Sequence, residues 1–457
     1  MANSGNSASS RDVAFVLHPY TNLELHQSAG PQIITRGEGI YVEDEEGKKY
    51  IEGMAGLWCA SLGFGEERLV KAAERQMRTL PFYHVFASKS HLPVIDLAEK
   101  LITMAPLPMS KIFFANSGSE ATDSVVKLVW YYNNALGRPK KKKIISRQRA
   151  YHGVTVAAAS MTGLPFNHRD FDLPIDRIIH ADCPHYYRYG LPGESEQAFS
   201  ERLAINLEKL IEDEGPDTVA AFIAEPVMGA GGVIVPPKGY FEAIQPILKK
   251  YDILFIADEV ICGFGRTGNM FATETYNLQP DMITMAKALS AAYTPISAVM
   301  LNKQVADVVY ENSGKIGSFG HGFTYSAHPM CAAVALETLC IYEEREIVSH
   351  VRSVMGYFQD GLRALAEHPL VGEARGVGLL GGIELVEDKD RKKNFAPSAS
   401  VGASVAARCL EHGLVVRSLP GDIITLCPPL VILKAEVDML LSRLRMALDE
   451  SASFLGK

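Results

Sequence analysis

The chain lacks several features that would assign it to a special class of protein. Its seven cysteines include no Cys-x-x-Cys pair and are scattered, which predicts free thiols in a reducing cytoplasm rather than a disulfide framework. No stretch of 18 apolar residues is free of charge and proline, because Glu225 and Pro226 interrupt the nearest candidate, 218–235. The first ten residues have no apolar signal core. We therefore expect a cytoplasmic protein without a membrane partner.

An excess of positive charge is also missing. The chain has 45 Lys and Arg against 53 Asp and Glu, a formal net charge of -8. This balance argues against a nucleic-acid partner, which would require a basic surface. The lysine run 140–143 is predicted to be a solvated loop. With 457 residues, 47% hydrophobic and 21% charged, the chain suits a packed enzyme of two or three domains.

Short apolar runs alternate with helical patterns from residue 111 to about 310. This alternation predicts an α/β fold with a mainly parallel sheet covered on both faces. After about residue 330 the pattern becomes mixed α+β, which predicts a second, smaller domain. Residues 1 to about 20 are expected to be frayed, and a hairpin is expected over 33–51. The predicted strands are 112–114, 143–146, 219–224, 253–257, 282–285, 296–301, 376–385 and 414–417, and the predicted helices are 66–80, 92–104, 122–136, 240–251 and 332–344.

A lysine and an acid each close an apolar run that reads as a buried parallel strand. Lys287 follows 282–286, and Asp258 follows 253–257. A buried ammonium is unfavourable unless it is paired or covalently bound, and a Schiff base removes its charge. An aldehyde cofactor with a basic ring nitrogen would use both groups, and pyridoxal phosphate (PLP) has that chemistry. The alternative for Asp258 is a helix cap or a structural ion pair.

Two further stretches could hold such a cofactor. Ser117 to Glu120 matches the Ser-x-x-Glu capping box at a helix start, where free N–H groups and hydroxyls would bind a phosphate. An ordinary N-cap is the alternative. Tyr151 could stack on a planar ring, although such a tyrosine is often only a loop residue.

Three other patterns have competing interpretations. Gly263 to Gly268 matches G-x-G-x-x-G, the fingerprint of a dinucleotide site, but two acids precede it, and we expect a loop that shapes the cofactor pocket instead. His180 and His185 mimic metal ligands at a spacing that matches no zinc motif, so we expect no metal. Arg417 is placed to bind a carboxylate, with a surface salt bridge as the alternative.

Together these stretches resemble the class III PLP-dependent aminotransferases, and within them the ω-transaminases that pass amino groups to pyruvate. The resemblance covers about residue 35 to residue 430. Its most specific parts are 53–59, 116–120, 225–232, 257–268 and 321–326.

The resemblance implies PLP fold type I: a large domain with a mostly parallel seven-stranded sheet and a small α+β domain built from both chain ends. We place the N-terminal segment at 1–55, the large domain at 56–329 and the small domain at 330–457. The resemblance also implies a homodimer with active sites at the interface, and a tetramer is the alternative.

The resemblance further assigns roles to individual residues. Lys287 would form the Schiff base with PLP, and Asp258 would pair with the ring nitrogen. The phosphate would be held by Ser117, Gly118 and Ser119, joined by Thr324 from the partner subunit. Tyr151 and Val260 would cover the two ring faces, with His152 and Glu225 beside the cofactor. Substrate would meet Trp58, Phe86, Tyr151 and Arg417.

The implied reaction moves an amino group from a primary amine or ω-amino acid to pyruvate, giving alanine, with ping-pong kinetics. A PLP-dependent aminomutase or decarboxylase and an NAD-dependent dehydrogenase are the alternatives. Ala87 stands where relatives often have an aromatic residue, and Ala288 and Ala327 stand where glycine is common. These departures leave the donor open, whether β-alanine, taurine, a diamine or another ω-amino acid.

Overall fold

A computed structural model describes residues 6–457. Within them, strands β1 to β15 in chain order are Ile34–Glu38, Tyr41–Asp44, Lys49–Glu52, Met109–Ala115, Lys143–Arg147, Ile178–Ala181, Val219–Ala224, Leu254–Asp258, Met282–Met285, Ser297–Asn302, Val371–Val377, Leu380–Leu385, Leu414–Val415, Arg417–Leu419 and Ile423–Leu426.

Helices α1 to α16 of the same residues are Ala8–Phe15, Leu23–Ala29, Ala55–Trp58, Glu67–Thr79, Leu92–Met104, Gly118–Ala135, Val156–Met161, Tyr186–Tyr189, Glu196–Glu214, Tyr240–Lys250, Ala272–Thr275, Lys303–Ile316, Pro329–Glu344, Ile347–Ala364, Val401–Glu411 and Lys434–Phe454. Short 3₁₀ turns cover Pro165–Asn167, Pro216–Thr218, Lys287–Ser290, Leu365–Glu367 and Pro397–Ala399. No helix in 6–457 is both long and apolar enough to cross a bilayer.

The largest sheet has seven strands in the order β4-β10-β9-β8-β7-β5-β6. Neighbours from β9 to β6 pair in parallel, whereas β10 is antiparallel to both β4 and β9. Every residue of β7 and β8 is buried, as expected for strands covered on both faces. The predicted mostly parallel seven-stranded sheet is confirmed.

Two four-stranded sheets involve the chain ends. One has the order β11-β12-β15-β14 and is antiparallel, and the other has the order β1-β2-β3-β13. Strand β13 pairs in parallel with β3, so that Leu414 lies beside Ile51. The C-terminal strands thus join the N-terminal hairpin, which agrees with a small α+β unit built from both ends.

Several predicted elements need correction. The lysines of 140–143 are not simply solvated: Lys141 is buried and donates to the carbonyl of Tyr251 at 2.9 Å, and Lys143 bonds Glu214 at 2.6 Å. Burial lowers the pKa of Lys141. The predicted strand 376–385 is two strands, because the chain turns at Gly378 with a φ of 58°.

Two further predictions were wrong: the frayed N-terminal segment and the set of strands in the large sheet. The segment expected to be frayed contains α1, and Ser7 caps this helix by accepting from the N–H of Ser10 at 3.1 Å. Strand β6, which forms one edge of the large sheet, was not predicted.

Candidate active site

The carboxyl ends of the central strands open into one cavity of about 430 Å³. Asp258 is the last residue of β8, Glu225 directly follows β7, and Lys287 lies two residues beyond β9. Strand β4 ends at the same edge of the sheet, because both it and β9 are antiparallel to β10. Ligands of open α/β sheets bind at this edge. The lining brings together nine predicted residues: Ser117, Gly118, Ser119, Tyr151, His152, Glu225, Asp258, Val260 and Lys287.

Lys287 contributes the amine of this cavity. Its side chain is half-buried, with the remaining surface directed into the cavity. Burial lowers the pKa of Lys287, against the attraction of Asp258. The amine therefore has more of its free base than a lysine in water, which suits a group that takes up a proton. Its φ of 52° lies in the left-handed region, a backbone strain of about 1–3 kcal/mol of the kind found at functional sites.

Asp258 is buried and held by three donors. The N–H of Val260 and the hydroxyl of Thr284 donate to Oδ1 at 3.2 Å and 3.0 Å, and Nδ1 of His152 contacts Oδ2 at 2.6 Å. These three contacts fix the orientation of the carboxylate. Thr284 was not predicted as a site residue, although it is the next-to-last residue of the predicted strand 282–285.

Glu225 is a second buried acid, fixed by the backbone. Oε1 accepts from the N–H of Tyr151 at 2.9 Å, and Oε2 accepts from the N–H of Gly229 at 2.9 Å. Burial raises the pKa of Glu225. The side chain thus ties the Tyr151 loop to the turn after β7, and it sets the position of the predicted stacking residue.

The start of α6 forms the other end of the cavity. The hydroxyl of Ser117 accepts from the N–H of Glu120 at 3.2 Å, which is the first half of the capping box. The second half is altered, because Glu120 Oε2 accepts from the N–H of Asn116 at 2.7 Å. The N–H groups of Gly118 and Ser119 lie in the first turn, which has no intrahelical acceptors. Both serine hydroxyls retain a hydrogen to donate to an anion.

Tyr151, Arg417 and Tyr20 form a polar group beside the cavity. Burial raises the pKa of Tyr151, and the neighbouring Tyr20 hydroxyl adds to that effect. Burial lowers the pKa of Arg417, against the opposing influence of Tyr151 and then Tyr20. Tyr20 was not predicted as a site residue, because residues 1 to about 20 were expected to be frayed.

Three predicted residues lie elsewhere within one chain. Trp58 is buried in an apolar cluster with Met54, Val227 and Ile261 rather than lining the cavity. Phe86 is 44% exposed and lies in a separate groove beside Gly322. Thr324 is exposed in the same segment. A single chain therefore does not bring Trp58, Phe86 and Thr324 to its own cavity surface.

The Gly-rich loop 263–268 and the pair His180 and His185 have different surroundings in the structure. The loop 263–268 does not line the cavity, so the expectation that it shapes the cofactor pocket is wrong; its buried Arg266 instead donates to the carbonyl of Pro428 at 2.5 Å. His180 and His185 lie in different surroundings. His185 contacts Glu373 at 3.0 Å, and Arg375 pairs with the same carboxylate.

A model of the class-III aminotransferase family matches residues 25–448. The chain belongs to this family. PLP is therefore its cofactor, and its reaction is an amino transfer. Among the proteins similar to this class-III aminotransferase is the mitochondrial gamma-aminobutyrate transaminase 1 of Oryza sativa subsp. japonica. The two are 54% identical over 428 residues, which cover 93% of this chain and 83% of the relative.

Two solved structures resemble the aminotransferase along nearly all of its length. The omega transaminase from Pseudomonas jessenii in complex with PMP is 55% identical, with a TM-score of 0.97 and coverage of 98% of this chain and 99% of that chain. A transaminase solved with L-Ala is 58% identical, with a TM-score of 0.91 and coverage of 93% and 100%.

The cavity of the aminotransferase fits PLP. Its amine, its oriented carboxylate and its helix start match the aldehyde, ring nitrogen and phosphate of the cofactor. Two glycines keep the space open: a Cβ on Gly118 would lie 3.2 Å from Cγ1 of Val260, and one on Gly153 would lie 2.5 Å from Oγ of Ser119.

Proposed function

We propose that the chain transfers the amino group of a primary amine or ω-amino acid to pyruvate and releases alanine, in a ping-pong cycle. The observation that carries this proposal is that Lys287 and Asp258 line one cavity with the start of α6. The names of relatives that act on gamma-aminobutyrate or were solved with L-Ala support a donor with a distant carboxylate and alanine as product.

The cofactor, when bound, supplies an aldehyde that takes the amino group and a ring that withdraws electrons. We propose that Ser117, Gly118 and Ser119 hold its phosphate through N–H and hydroxyl donors. Asp258 would hold a proton on the ring nitrogen, and Tyr151 and Val260 would orient the ring from its two faces.

Lys287 is the proposed acid and base of the reaction. Its Nζ would take the proton from the donor carbon and later return it, a role that the lowered pKa favours. Glu225 and His152 would act by position, because Glu225 holds the N–H of Tyr151 and His152 holds Asp258.

Arg417 is the proposed carboxylate receptor. Replacing Arg417 by alanine should reduce kcat/KM for pyruvate and β-alanine by about 10²-fold, because a charge-assisted bond in a water-poor site is worth about 2–3 kcal/mol. A simple arylalkylamine has no carboxylate, so its half-reaction should change little. A panel of donors with pyruvate, measured as alanine formed, tests both the reaction and this role.

Arg391→Ala is the matched control, because it removes the same charge from an exposed site away from the cavity. It should leave the whole panel unchanged. Equal losses for the arylalkylamine and the carboxylates in Arg417→Ala would refute the receptor role, and a wild-type enzyme that forms no alanine from any donor would refute the proposed reaction. Alanine formation also separates the reaction from an aminomutase or decarboxylase.

We infer that the chain works as a homodimer with shared sites. The groove beside Phe86 and Gly322 is open and has both apolar and polar lining residues, and Tyr325 next to Thr324 is 62% exposed. A second copy on this face would cover it and bring Phe86 and Thr324 to the partner's cavity. Tyr151 and Arg417 remain proposed substrate contacts of the same chain, and Trp58 takes that role only if its side chain turns out of the apolar cluster.

Co-expression of Lys287→Ala and Thr324→Ala chains tests the shared site. Each variant alone should be impaired, but a mixed dimer has one intact site, so about a quarter of wild-type sites should return when chains pair at random. Sedimentation of the wild type should give twice 49.9 kDa. A monomer, or no recovery on co-expression, would contradict the inference.

We also propose a cellular location and domain limits for the chain. All seven cysteines are unpaired, which suits the reducing cytoplasm; cell fractionation tests it. The division into 1–55, 56–329 and 330–457 remains our proposal for the domain limits.

A further inference from the structure

Three buried polar atoms on β5, on β6 and in the loop after β5 have no hydrogen-bond partner among the described residues. They are Oγ of Ser146, Nε2 of His152 and Nε2 of His180. An unpaired buried polar atom costs about 1–3 kcal/mol, and most such atoms are satisfied by protein or by ordered water. Three of them in one region therefore call for a shared partner.

The sheet register places these atoms on one face. Ser146 of β5 lies directly opposite His180 of β6, so their side chains project to the same side. Ile144 and Ile178, two residues earlier on each strand, pack in the core under α6 and α7, which identifies that side. His152 reaches Asp258, which projects to the same side from the end of β8. The His152 ring is close enough to His180 to contribute to the lowering of the His180 pKa, after burial and His168.

The proton positions of the two rings can be assigned. Nδ1 of His152 faces a carboxylate oxygen of Asp258 at 2.6 Å, so Nδ1 donates its hydrogen there, and in the neutral ring Nε2 has the lone pair. Burial lowers the pKa of His180, and hydrogen bonding to the backbone of Met161 and Thr162 acts against this. His180 is therefore neutral, with its N–H toward those backbone groups and a lone pair on Nε2.

We propose that one buried water molecule joins Ser146 Oγ, His152 Nε2 and His180 Nε2, and that Ser146 and His180 are positioning residues for Asp258 through His152. The hydrogen bonds balance, since the water donates one hydrogen to each imidazole lone pair and accepts the hydroxyl hydrogen of Ser146. Three bonds is the usual number for a buried water molecule.

The water fixes the tautomer of His152. If His152 lost its acceptor role at Nε2, the hydrogen could move to that nitrogen, and a lone pair at Nδ1 would then face the carboxylate of Asp258. The bridge therefore keeps a donor on Asp258 and holds the orientation of the group that meets the ring nitrogen. This consequence rests on the proposed function, whereas the water site itself does not.

A high-resolution crystal structure of the PLP-loaded enzyme tests the water site. We expect one water at about 2.7–3.2 Å from each of the three atoms. Direct contact between the side chains, or a metal ion at about 2.0–2.1 Å from the ring nitrogens, would overturn the proposal. The same water in crystals of the apoenzyme would support it independently of any transfer activity.

Variants test the action on Asp258. His180→Phe keeps the ring volume but loses the lone pair, and it should weaken PLP retention about fivefold and move the pH midpoint of the bound cofactor's absorbance by about half a unit. Ser146→Ala should change PLP retention and the absorbance midpoint in the same directions as His180→Phe. His180→Gln retains an oxygen acceptor and should restore values close to wild type.

Ser451→Ala is the matched control, because Ser451 is a buried serine that bonds only the Ala447 carbonyl of its own helix. It should leave the absorbance midpoint unchanged even if the melting temperature falls. Equal shifts in the control and in His180→Phe, or no shift in His180→Phe, would refute the positioning role. Loss of amino transfer in the wild type would refute the proposed function but not the water site.

Discussion

Replacement of Lys287 by alanine should reduce amino transfer by about 10⁴-fold, the upper range for loss of a positioned acid and base. The reason is geometric: Lys287 is the only lysine among the described residues that line the cavity. Its lowered pKa and strained backbone distinguish it from a surface lysine. The variant should still bind PLP without a covalent bond, because the phosphate and ring contacts remain.

Alanine formation and mass spectrometry together provide the measurement. After borohydride reduction and digestion, the wild type should yield a pyridoxyl group on the peptide that contains Lys287, and the variant should yield none. Lys141→Ala is the matched control: it also deletes a buried amine with a lowered pKa, whose Nζ donates to a carbonyl 2.9 Å away and far from the cavity. It should retain transfer even if it melts at a lower temperature. Normal turnover in Lys287→Ala would end the proposed mechanism.

Replacement of Asp258 by asparagine should lower kcat/KM by about 10³-fold, because removing one charge of a buried pair costs about 3–5 kcal/mol. The substitution keeps the shape of the side chain and its acceptor for Thr284. It removes the charge that would hold a proton on the ring nitrogen. We expect the loss mainly in kcat, together with a changed absorbance of bound PLP.

Glu259→Gln separates this effect from the general loss of a buried carboxylate. Glu259 adjoins Asp258, is fully buried, and accepts from the N–H of Ala272 at 3.1 Å on the side away from the cavity. Burial raises the pKa of Glu259 to about 7, so about half of the molecules have this charge at neutral pH, and it does not face the cavity. The control should therefore transfer amino groups at nearly the wild-type rate. A comparable loss in both variants would indicate a folding defect rather than a role for Asp258.

Elements with a strong local pattern were predictable from the sequence. The strands 219–224 and 282–285 and the helix 92–104 have the bounds that the structure gives. Each segment is either a continuous apolar run, which fits a strand buried in the sheet, or an amphipathic repeat, which fits a helix packed against the sheet. Lys287 and Asp258 were predictable for the same reason, because each is a charged residue directly after an apolar run.

Features that depend on distant contacts were not predictable. The lysines of 140–143 read as solvated, but Lys141 and Lys143 find acceptors at Tyr251 and Glu214, more than 70 positions away. Trp58 is a large aromatic in a specific motif, yet it packs into an apolar cluster whose members come from both halves of the chain. Tyr20 lies close to Tyr151 although 131 positions separate them in the chain.

The parallel pairing of β3 with β13 has a consequence for biosynthesis. The ribosome releases the N-terminal hairpin first, but its neighbouring strand begins at residue 414. At about 5–20 residues per second, roughly 360 further residues take about 20–70 s to emerge. A lone hairpin is barely stable in water, so during that interval its outer edge is open to wrong partners, and the nascent polypeptide depends on late closure by its own last strands.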